Sequence, residues 1–399
     1  MSPLPQDYRW LTSEEGKRAL RRAERLSLPL LRLLETLRAE FGDARARLLV
    51  EQCSLRRRAV EKFSFPERMF FTSQGLEQAT DEAIAAVKAA RFAPFGKVAD
   101  FCCGIGGDLL ALAAHAEVTG VERDVVRATL ARANLETAGF SPERASVREA
   151  EVAALDPAEY EAWHLDPDRR PGGTKTTRFE LHDPGPDFLS RVLSGCLHGG
   201  LKLSPATRWT FGVQQEVELE WISRRRECRQ LMVWFGELAQ EHGFRKATHV
   251  SADGRTTETL IGHPGSCTRI AENLKEFLVE PDPAVLAADL TGAFAERFNL
   301  QSVSRQIPYF TAESPVKNHL ASSFEIIDIG PFDRKRLSRV LREKRIGSLE
   351  IKKRGIDLDP ETLRRKLKRQ GEELGTLVIF PHKGGVIAVL GRRWQDKLN

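Results

Sequence analysis

An apolar run that leads straight into a glycine-rich loop restricts the fold of this chain more than any other feature. The run is VADFCCGIGGD, residues 98–108. Its first half predicts a buried strand at 98–103, and the residues after the loop predict a helix from Asp108 to about His115. Glycine loses more conformational entropy on folding than any other residue, so three glycines here indicate positive φ angles or a closely bound ligand.

Strand and helix patterns alternate after this junction. Three further strands are predicted, at 117–122, near 145–150 and at 162–166. Strands separated by short helices predict βαβ units, and therefore a parallel sheet with helices on both faces. We assign residues 76–265 to this α/β domain.

The regions on either side have different patterns. Residues 1–75 predict a helical segment, with Ser13 capping its first helix. Residues 266–399 mix helix and strand patterns and end in two strands joined by PHKGG, residues 381–385, which is a hairpin signal. We therefore predict a helical N-terminal segment, the α/β domain and a small α+β C-terminal domain.

Basic residues are concentrated at the C-terminal end. The chain carries a net charge of +5, whereas residues 331–399 contain 19 Lys or Arg and nine Asp or Glu, which gives +10. Such an excess favours a polyanionic partner. Two stretches predicted to be helical carry these charges in rows: Lys335, Arg339 and Arg342 in the first, and Arg365, Lys368 and Arg369 in the second.

Several classes of protein and site are disfavoured by the sequence. No apolar run approaches the roughly 18 residues of a membrane span, and the N-terminus lacks the apolar core of a secretory signal. We therefore expect a cytoplasmic protein with no membrane partner. None of the six cysteines forms the C-x₂-C pair of a structural zinc site, so we expect no metal. The sequence does not predict the oligomeric state.

Two kinds of phosphate site fit the glycine loop poorly. A P-loop needs G-x-x-x-x-G-K-[ST], and no lysine follows this loop. A dinucleotide fingerprint needs G-x-G-x-x-G; Gly104 and Gly106 match its first two glycines, but Leu109 stands in the third position. Asp108 also places negative charge at the helix N-terminus, where a pyrophosphate would bind.

S-adenosylmethionine fits the same residues better, because it carries an ammonium and a sulfonium and has no phosphate. Asp100 and Asp108 supply negative charge for its cationic groups, and the glycines permit close approach. Glu122 ends the second strand, where a carboxylate can accept both ribose hydroxyls. Glu151 follows the third strand and is predicted to receive the adenine amine, with Glu149 as the alternative.

Two motifs carry a resemblance to a known family. DFCCGIGGD together with GVERD, residues 120–124, resembles the first two motifs of class I S-adenosylmethionine-dependent methyltransferases. The double cysteine and GIGGD are similar to a bacterial group whose C-terminal part is called a THUMP-like domain, and the likeness extends from about Phe63 onward. The resemblance implies a Rossmann-like methyltransferase sheet, S-adenosylmethionine as the cofactor and RNA as a partner.

A more distant similarity, to trimethylguanosine synthases, extends the predicted cofactor site. In that comparison FTSQGLEQAT, residues 71–80, lies over the methionyl end of S-adenosylmethionine, which implies that Thr72 and Gln78 are near the cofactor. The predicted cofactor-binding residues are Thr72, Gln78, Asp100, Cys102, Gly104, Gly106, Gly107, Asp108, Glu122, Arg123 and Glu151.

The fourth strand is followed by Asp166-Pro167-Asp168-Arg169-Arg170. Amine methyltransferases commonly place D/N-P-P-aromatic there; the first two residues match, and the second proline and the aromatic residue do not. We predict Asp166, Pro167, Asp168 and Arg169 as the catalytic residues, with Asp166 accepting a hydrogen bond from the nucleophile or taking its proton. An arginine in this loop can pair with phosphate or stack on a base, or can form a salt bridge that only supports the loop.

The sequence therefore predicts a methyltransferase that acts on a base in RNA. Methyl transfer to DNA, protein or a small molecule remains open, because the basic C-terminal end does not distinguish these acceptors. A scaffold that binds S-adenosylmethionine or RNA without catalysis is the alternative of a different class.

Overall fold

Helices and strands account for most of the residues that the structure describes. It is a computed structural model that describes residues 3–170, 173–212, 216–265 and 268–394. The helices are α1 (Pro5–Thr12), α2 (Glu14–Arg25), α3 (Leu30–Ala59), α4 (Ser73–Gln78), α5 (Glu82–Ala89), α6 (Gly107–Ala113), α7 (Val125–Thr137), α8 (Pro186–Gly195), α9 (Pro283–Ala287), α10 (Thr291–Arg297), α11 (Arg334–Glu343) and α12 (Pro360–Lys366).

The strands alternate with these helices in the first half of the chain and dominate the second half. They are β1 (Lys97–Phe101), β2 (Glu117–Glu122), β3 (Ala145–Glu149), β4 (Ala162–Leu165), β5 (Gly199–Leu203), β6 (Glu218–Arg224), β7 (Glu227–Phe235), β8 (Arg245–Val250), β9 (Thr257–Gly262), β10 (Phe277–Pro281), β11 (Gln301–Ser302), β12 (Phe310–Ala312), β13 (Ala321–Pro331), β14 (Ile346–Lys353), β15 (Glu373–His382) and β16 (Gly385–Arg393).

The chain divides into two units, which are described separately below. The first comprises Met1–Leu219, Gln230–Gly243 and Asp253–Arg255, and the second comprises Glu220–Arg229, Phe244–Ala252 and Thr256–Asn399. The predicted bounds of three domains stay a prediction. Across the described residues, no helix combines the length and the apolar character needed to cross a membrane.

The first unit contains a largely parallel sheet in which β1 is central. Its strands lie in the order β3-β2-β1-β4-β5-β7; the first five are parallel, and β7 is antiparallel to β5. The chain leaves β1 toward β2 on one side and returns to β4 on the other. Ligands of such open sheets bind beyond the carboxyl ends of the strands at this reversal. The predicted α/β class and the first four strands are confirmed.

The helical N-terminal segment packs against the helices of this sheet. Ser13 is a helix N-cap as predicted and accepts a hydrogen bond from the Gly16 N–H at 3.3 Å, but it caps the second helix, α2, because α1 precedes it. Buried side chains of α1, α2 and α3 form one apolar cluster with Leu130 and Ala133 of α7. Helix α3 bends at Gly42, whose φ of 80° lies outside the helical range. Burial of this shared apolar surface is what holds the segment to the sheet.

The strand–helix alternation ends at β5, earlier than the predicted limit near residue 265. Strands β6 to β9 follow one another without an intervening α-helix. Arg225 and Arg226 turn the chain between β6 and β7 with φ angles of 53° and 62°. Two successive positive φ angles suit a tight hairpin turn, but they usually occur at Gly or Asn. The arginines gave no turn signal, so this hairpin was not predicted.

The second unit is built on a sheet with the strand order β11-β12-β10-β13-β16-β15-β14. Helix α11 buries Leu337, Val340 and Leu341 against apolar side chains of β14, β15 and β16. The predicted hairpin between the last two strands is confirmed, since β15 and β16 pair through His382 and Gly385. The prediction that Arg365, Lys368 and Arg369 form a row on one helix is wrong, because α12 ends at Lys366.

Candidate active site

The register of the sheet brings several predicted residues to one edge. Phe101 at the end of β1 pairs with Val121 of β2 and with Leu165 of β4. The next residues along these strands are Cys102, Glu122 and Asp166, which begin or flank the loops at the carboxyl edge. Residues far apart in sequence therefore become neighbours, because parallel strands end at the same edge of the sheet.

The glycine loop has the backbone geometry that its composition indicates. Gly104 and Gly106 have φ angles of 57° and 94°, and Cys102 has 63°. Apart from Gly104 and its two chain neighbours, no heavy atom of the described chain lies within 4 Å of the position that a Gly104 Cβ would take. Gly107 begins α6, and a Cβ there would lie 3.2 Å from the Thr80 backbone nitrogen. The first two glycines provide the turn, and the third allows close helix packing.

Both cysteines of this loop are held as thiols by their surroundings. Burial raises the pKa of the Cys102 thiol well above its ordinary value, and the nearby Glu122 carboxylate raises it further. Burial does the same to the pKa of Cys103, with Asp100 adding to the effect. A thiol is a weak nucleophile compared with a thiolate. The predicted cofactor-binding role of Cys102 stays a prediction.

Glu122 ties the glycine loop to the end of β2. It is almost fully buried, and its Oε2 accepts a hydrogen bond from the Gly104 N–H at 3.1 Å. Its Oε1 accepts from the Asp124 N–H at 2.8 Å and from Arg127 at 3.0 Å. Two carboxylate oxygens offer about four acceptor sites, so Glu122 retains capacity for a ligand hydroxyl.

Asp100 is completely buried at the carboxyl half of β1. Its Oδ1 lies 2.8 Å from His164 Nδ1, and its Oδ2 has no hydrogen-bond partner among the described residues. Burial raises the pKa of Asp100, and the hydrogen bond from His164 partly offsets this rise. A buried carboxylate oxygen without a partner is costly, so Oδ2 is suited to a cationic or hydrogen-bonding ligand.

Asp108 has protein partners at both oxygens. Its Oδ1 lies 2.6 Å from the buried Lys88 Nζ, and its Oδ2 accepts from Thr80 Oγ1 at 2.5 Å. Burial raises the pKa of Asp108, but Lys88, His164 and Lys202 more than reverse this, and the net pKa lies well below the ordinary value. Sequence reasoning missed Lys88, because an interior lysine on a helix gives no motif. The cofactor role of Asp108 stays a prediction.

Asp166 has a lysine partner that the sequence did not reveal. Its Oδ2 lies 2.6 Å from Lys202 Nζ, and Lys202 Nζ lies 3.9 Å from Asp108 Oδ2. Burial lowers the pKa of Lys202, but the carboxylates of Asp166 and Asp108 outweigh it and the net pKa is raised. Lys202 is therefore a stable cation. The sequence KLSP, residues 202–205, contains this lysine, but its link to Asp166 became clear only when the structure paired β5 with β4.

Two adjacent arginines in the loop after β4 have different contacts. Asp168 pairs with Asp183 through two backbone hydrogen bonds of 2.8 and 3.1 Å, and its Oδ1 accepts from the Arg170 N–H at 3.0 Å. Arg170 forms a salt bridge of 2.6 Å with Glu77 at the end of α4. The half-buried Arg169 side chain has no hydrogen bond or ion pair within the described residues. Arg170 therefore supports the loop, and Arg169 is available for a ligand. Pro167, which follows Asp166 in the chain, is buried.

Two other predicted residues, Thr72 and Gln78, lie at the two ends of α4. Thr72 caps α4 by accepting from the Gly75 N–H at 2.9 Å, and a Cβ on Gly75 would lie 2.6 Å from Ile105 Cγ2. Helix α4 therefore packs on the glycine loop, which brings Thr72 to it. Gln78 ends the same helix and is half-buried.

Arg123 and Glu151 follow β2 and β3 at the carboxyl edge of the sheet. Arg123 forms a salt bridge of 2.7 Å with Asp183 and lies 3.8 Å from Glu151. Glu151 is 64% exposed, so its carboxylate is open to a ligand. In the part of the chain that is described, no group of three or more His, Cys, Asp or Glu is arranged to hold a metal ion. The cofactor roles of Arg123 and Glu151 stay predictions.

Comparison with known proteins gives three results. The sequence profile of the family described as THUMP domain-like matches residues 321–393. Two curated proteins of Mycobacterium tuberculosis, from strains CDC 1551 / Oshkosh and ATCC 25618 / H37Rv, are each named as an uncharacterized S-adenosylmethionine-dependent methyltransferase. Each is 33% identical over 362 residues, which is 86% of this chain and 94% of the relative.

The third result concerns the fold. The crystal structure of a candidate methyltransferase from Porphyromonas gingivalis W83 aligns with a TM-score of 0.76 and 20% identity, over 96% of this chain and 99% of that one. The identity and coverage of the mycobacterial relatives, the sheet order and the glycine loop agree with one another. The resemblance predicted from the first two motifs is confirmed, and the chain belongs to the class I S-adenosylmethionine-dependent methyltransferases, with a THUMP-like domain in its C-terminal part.

Proposed function

We propose that this protein transfers the methyl group of S-adenosylmethionine to a base in RNA. The observation that carries the proposal is the position of Asp166. It follows β4 at the carboxyl edge, beside the end of β1 that leads into the glycine loop. Lys202 holds its Oδ2, whereas its Oδ1 has no hydrogen bond within the described residues. A partly exposed, directed carboxylate oxygen at this edge suits an acceptor N–H.

The residues around the glycine loop fit the cofactor of the family. The open space at Gly104 allows close approach, and the unpartnered Asp100 Oδ2 would accept a hydrogen bond from a cationic group. Glu122 would accept from the ribose hydroxyls. S-adenosylmethionine supplies a methyl group on a sulfonium; the acceptor's lone pair forms the new bond to carbon as the carbon–sulfur bond breaks and its electrons stay on sulfur. Thr72 and Gln78 would lie toward the methionyl end, and Arg123 and Glu151 toward the adenine.

The loop after β4 would bind and orient the acceptor. Asp166 accepts a hydrogen bond from the nucleophile and takes its proton as the bond to the methyl carbon forms, and the buried Pro167 restricts the backbone at that point. Asp168 closes the loop through its backbone pair with Asp183. Arg169 contacts a phosphate or the face of a base, because its guanidinium has both charge and a planar surface. Holding the nucleophile close and in line supplies much of the rate.

RNA is the acceptor that the basic second unit favours. The THUMP-like match includes α11, on which Lys335, Arg339 and Arg342 are all exposed. Exposed cations spaced along a helix face attract a polyanion backbone. The same charges would also attract DNA, so the acceptor has to be identified by chemistry.

The experiment compares three acceptor pools from cells that lack the gene. Purified protein is incubated with S-adenosylmethionine carrying a labelled methyl group and with RNA, DNA or protein from those cells. We expect label in RNA, and a single methylated nucleoside by mass spectrometry after digestion. Label in DNA or protein alone would contradict the RNA assignment but retain the reaction, whereas no label in any pool would contradict the proposed function itself.

A further inference from the structure

Lys202 is a nearly buried cation at the edge where the acceptor is proposed to bind. The β4–β5 register pairs Leu165 with Leu201, and so places Lys202 next to Asp166. The Lys202 side chain is only 13% exposed, and its Nζ lies 2.6 Å from Asp166 Oδ2. Removing an ammonium from water is unfavourable unless a carboxylate compensates it. The pair is therefore a specific arrangement and not a solvated surface contact.

A second buried lysine in the same region, Lys88, has a structural role that differs from that of Lys202. Lys88 is 2% exposed and pairs with Asp108 at 2.6 Å, and Asp108 also accepts from Thr80. These contacts join α5 to the start of α6. Lys202 is 3.9 Å from the same carboxylate, so its shorter contact is with Asp166. Lys88 supports the helix behind the glycine loop, whereas Lys202 acts on the carboxylate at the acceptor edge.

We propose that Lys202 is a positioning residue that fixes the Asp166 carboxylate for the acceptor. Its ammonium binds Oδ2 and holds the carboxylate in one orientation, which leaves Oδ1 to accept the hydrogen bond from the nucleophile. A charge-assisted hydrogen bond is directional and about twice as strong as a neutral one. Lys202 itself stays protonated and contacts neither the cofactor nor the reacting atoms. This inference rests on the proposed methyl transfer and on the role of Asp166 in it.

A double-mutant cycle tests whether Lys202 acts through Asp166. Lys202→Met, Asp166→Asn and the double variant are compared for transfer of labelled methyl to RNA from cells that lack the gene. We expect Lys202→Met to lower kcat at least about tenfold with KM for the RNA changed little. In the Asp166→Asn background the same substitution should have almost no further effect, because residues in direct contact are not additive. Two independent losses that multiply would overturn the inference.

Lys88→Met is the comparison variant, since it also removes a buried lysine near Asp108, and its rate is expressed per folded protein because the variant is expected to be less stable. Lys88 has no hydrogen bond or ion pair with Asp166 in the described residues, so its effect on the rate should be closer to multiplicative with that of Asp166→Asn than the effect of Lys202→Met is. Binding of S-adenosylhomocysteine, measured by calorimetry, should change less than about threefold in Lys202→Met. A loss of that binding would place Lys202 in the cofactor site and overturn the proposed role.

The conservative variants decide the question if Lys202→Met does not fold. Lys202→Arg keeps the charge and should recover at least about a third of the wild-type rate, whereas Lys202→Gln should resemble the methionine variant. Equal rates for Arg and Gln would overturn the inference. An inactive wild-type protein would contradict the proposed function instead, so the two failures are distinguishable.

Discussion

Lys88 and Asp108 form a buried ion pair behind the glycine loop, with 2.6 Å between Lys88 Nζ and Asp108 Oδ1. Burial lowers the pKa of Lys88, and Asp108 opposes this. Lys88→Met would leave the buried carboxylate without its nearest counter-charge, with Lys202 Nζ 3.9 Å away. We expect the free energy of unfolding, measured with urea, to fall by about 3–5 kcal/mol. Replacing the exposed Lys175 by Met is the control. A loss below about 1 kcal/mol would show that the pair contributes little.

The same pair predicts how stability depends on pH. Because the folded-state pKa of Asp108 is below its ordinary value, its stabilising contribution is complete above that ordinary value, about 3.9. It is lost as the pH falls toward the folded-state pKa, since protonation leaves Lys88 and Lys202 without this anion and His164 also faces it. The stability difference between wild type and Asp108→Asn should therefore be constant from pH 7 to about pH 5 and shrink below pH 4. Urea unfolding at several pH values measures it; a difference that grew on acidification would contradict the assignment.

Gly104→Ala tests the cofactor site. Gly104 combines a φ of 57° with open space around its Cβ position. The methyl group would enter the space proposed for the cofactor, so we expect S-adenosylhomocysteine to bind at least about tenfold more weakly by calorimetry. Gly139 is a matched control, because it also has a positive φ, of 86°, and open space. Both substitutions carry similar backbone strain. Equal affinity in the two variants would exclude a close cofactor contact at Gly104.

Asp166→Ala separates acceptor chemistry from cofactor binding. Because its side chain follows β4 and not the glycine loop, we expect affinity for S-adenosylhomocysteine to stay within a few-fold of wild type. Methyl transfer to RNA should fall at least about a hundredfold, as expected for loss of a positioned catalytic group. Asp187→Ala, at an exposed carboxylate in the first turn of α8, serves as the control. A wild-type rate in Asp166→Ala would move the chemical role to Asp168 or Arg169.

The exposed basic row of α11 predicts salt-dependent RNA binding. Reversing Lys335, Arg339 and Arg342 to Glu would remove the three phosphate contacts proposed for this row. The slope of log affinity against log salt should become about 2 units less steep, at about 0.7 per single-strand phosphate. Fluorescence anisotropy with a labelled single-stranded RNA 20-mer measures this.

A control for that experiment exists on α2, where Arg18, Arg21 and Arg25 form a similarly spaced exposed row. Reversing these three charges should leave the slope nearly unchanged. If both triple variants alter the slope equally, the effect comes from net charge, and α11 has no specific role in binding.

Local patterns were sufficient for the core of the fold. The strand, glycine loop and helix at 97–113 are consecutive in the chain, and each depends on hydrophobic periodicity or on a residue's backbone preference. The last hairpin follows from PHKGG for the same reason. The position of Glu122 and Asp166 at one edge of the sheet could also be predicted from the sequence, because the carboxyl ends of parallel strands share one edge. These features were predictable since each depends either on neighbouring residues or on the general rule for parallel strands.

Only the tertiary structure decided which charges meet. Lys88 lies at the end of α5, on the far side of β1 from the loop in sequence, and Lys202 lies on a strand added after a long connection. Both reach Asp108 or Asp166 through strand register and helix packing. Arg169 and Arg170 are alike in sequence, yet only Arg170 has Glu77 within reach. Contacts of this kind depend on the relative placement of distant segments and on the cost of burying charge, and neither leaves a local pattern.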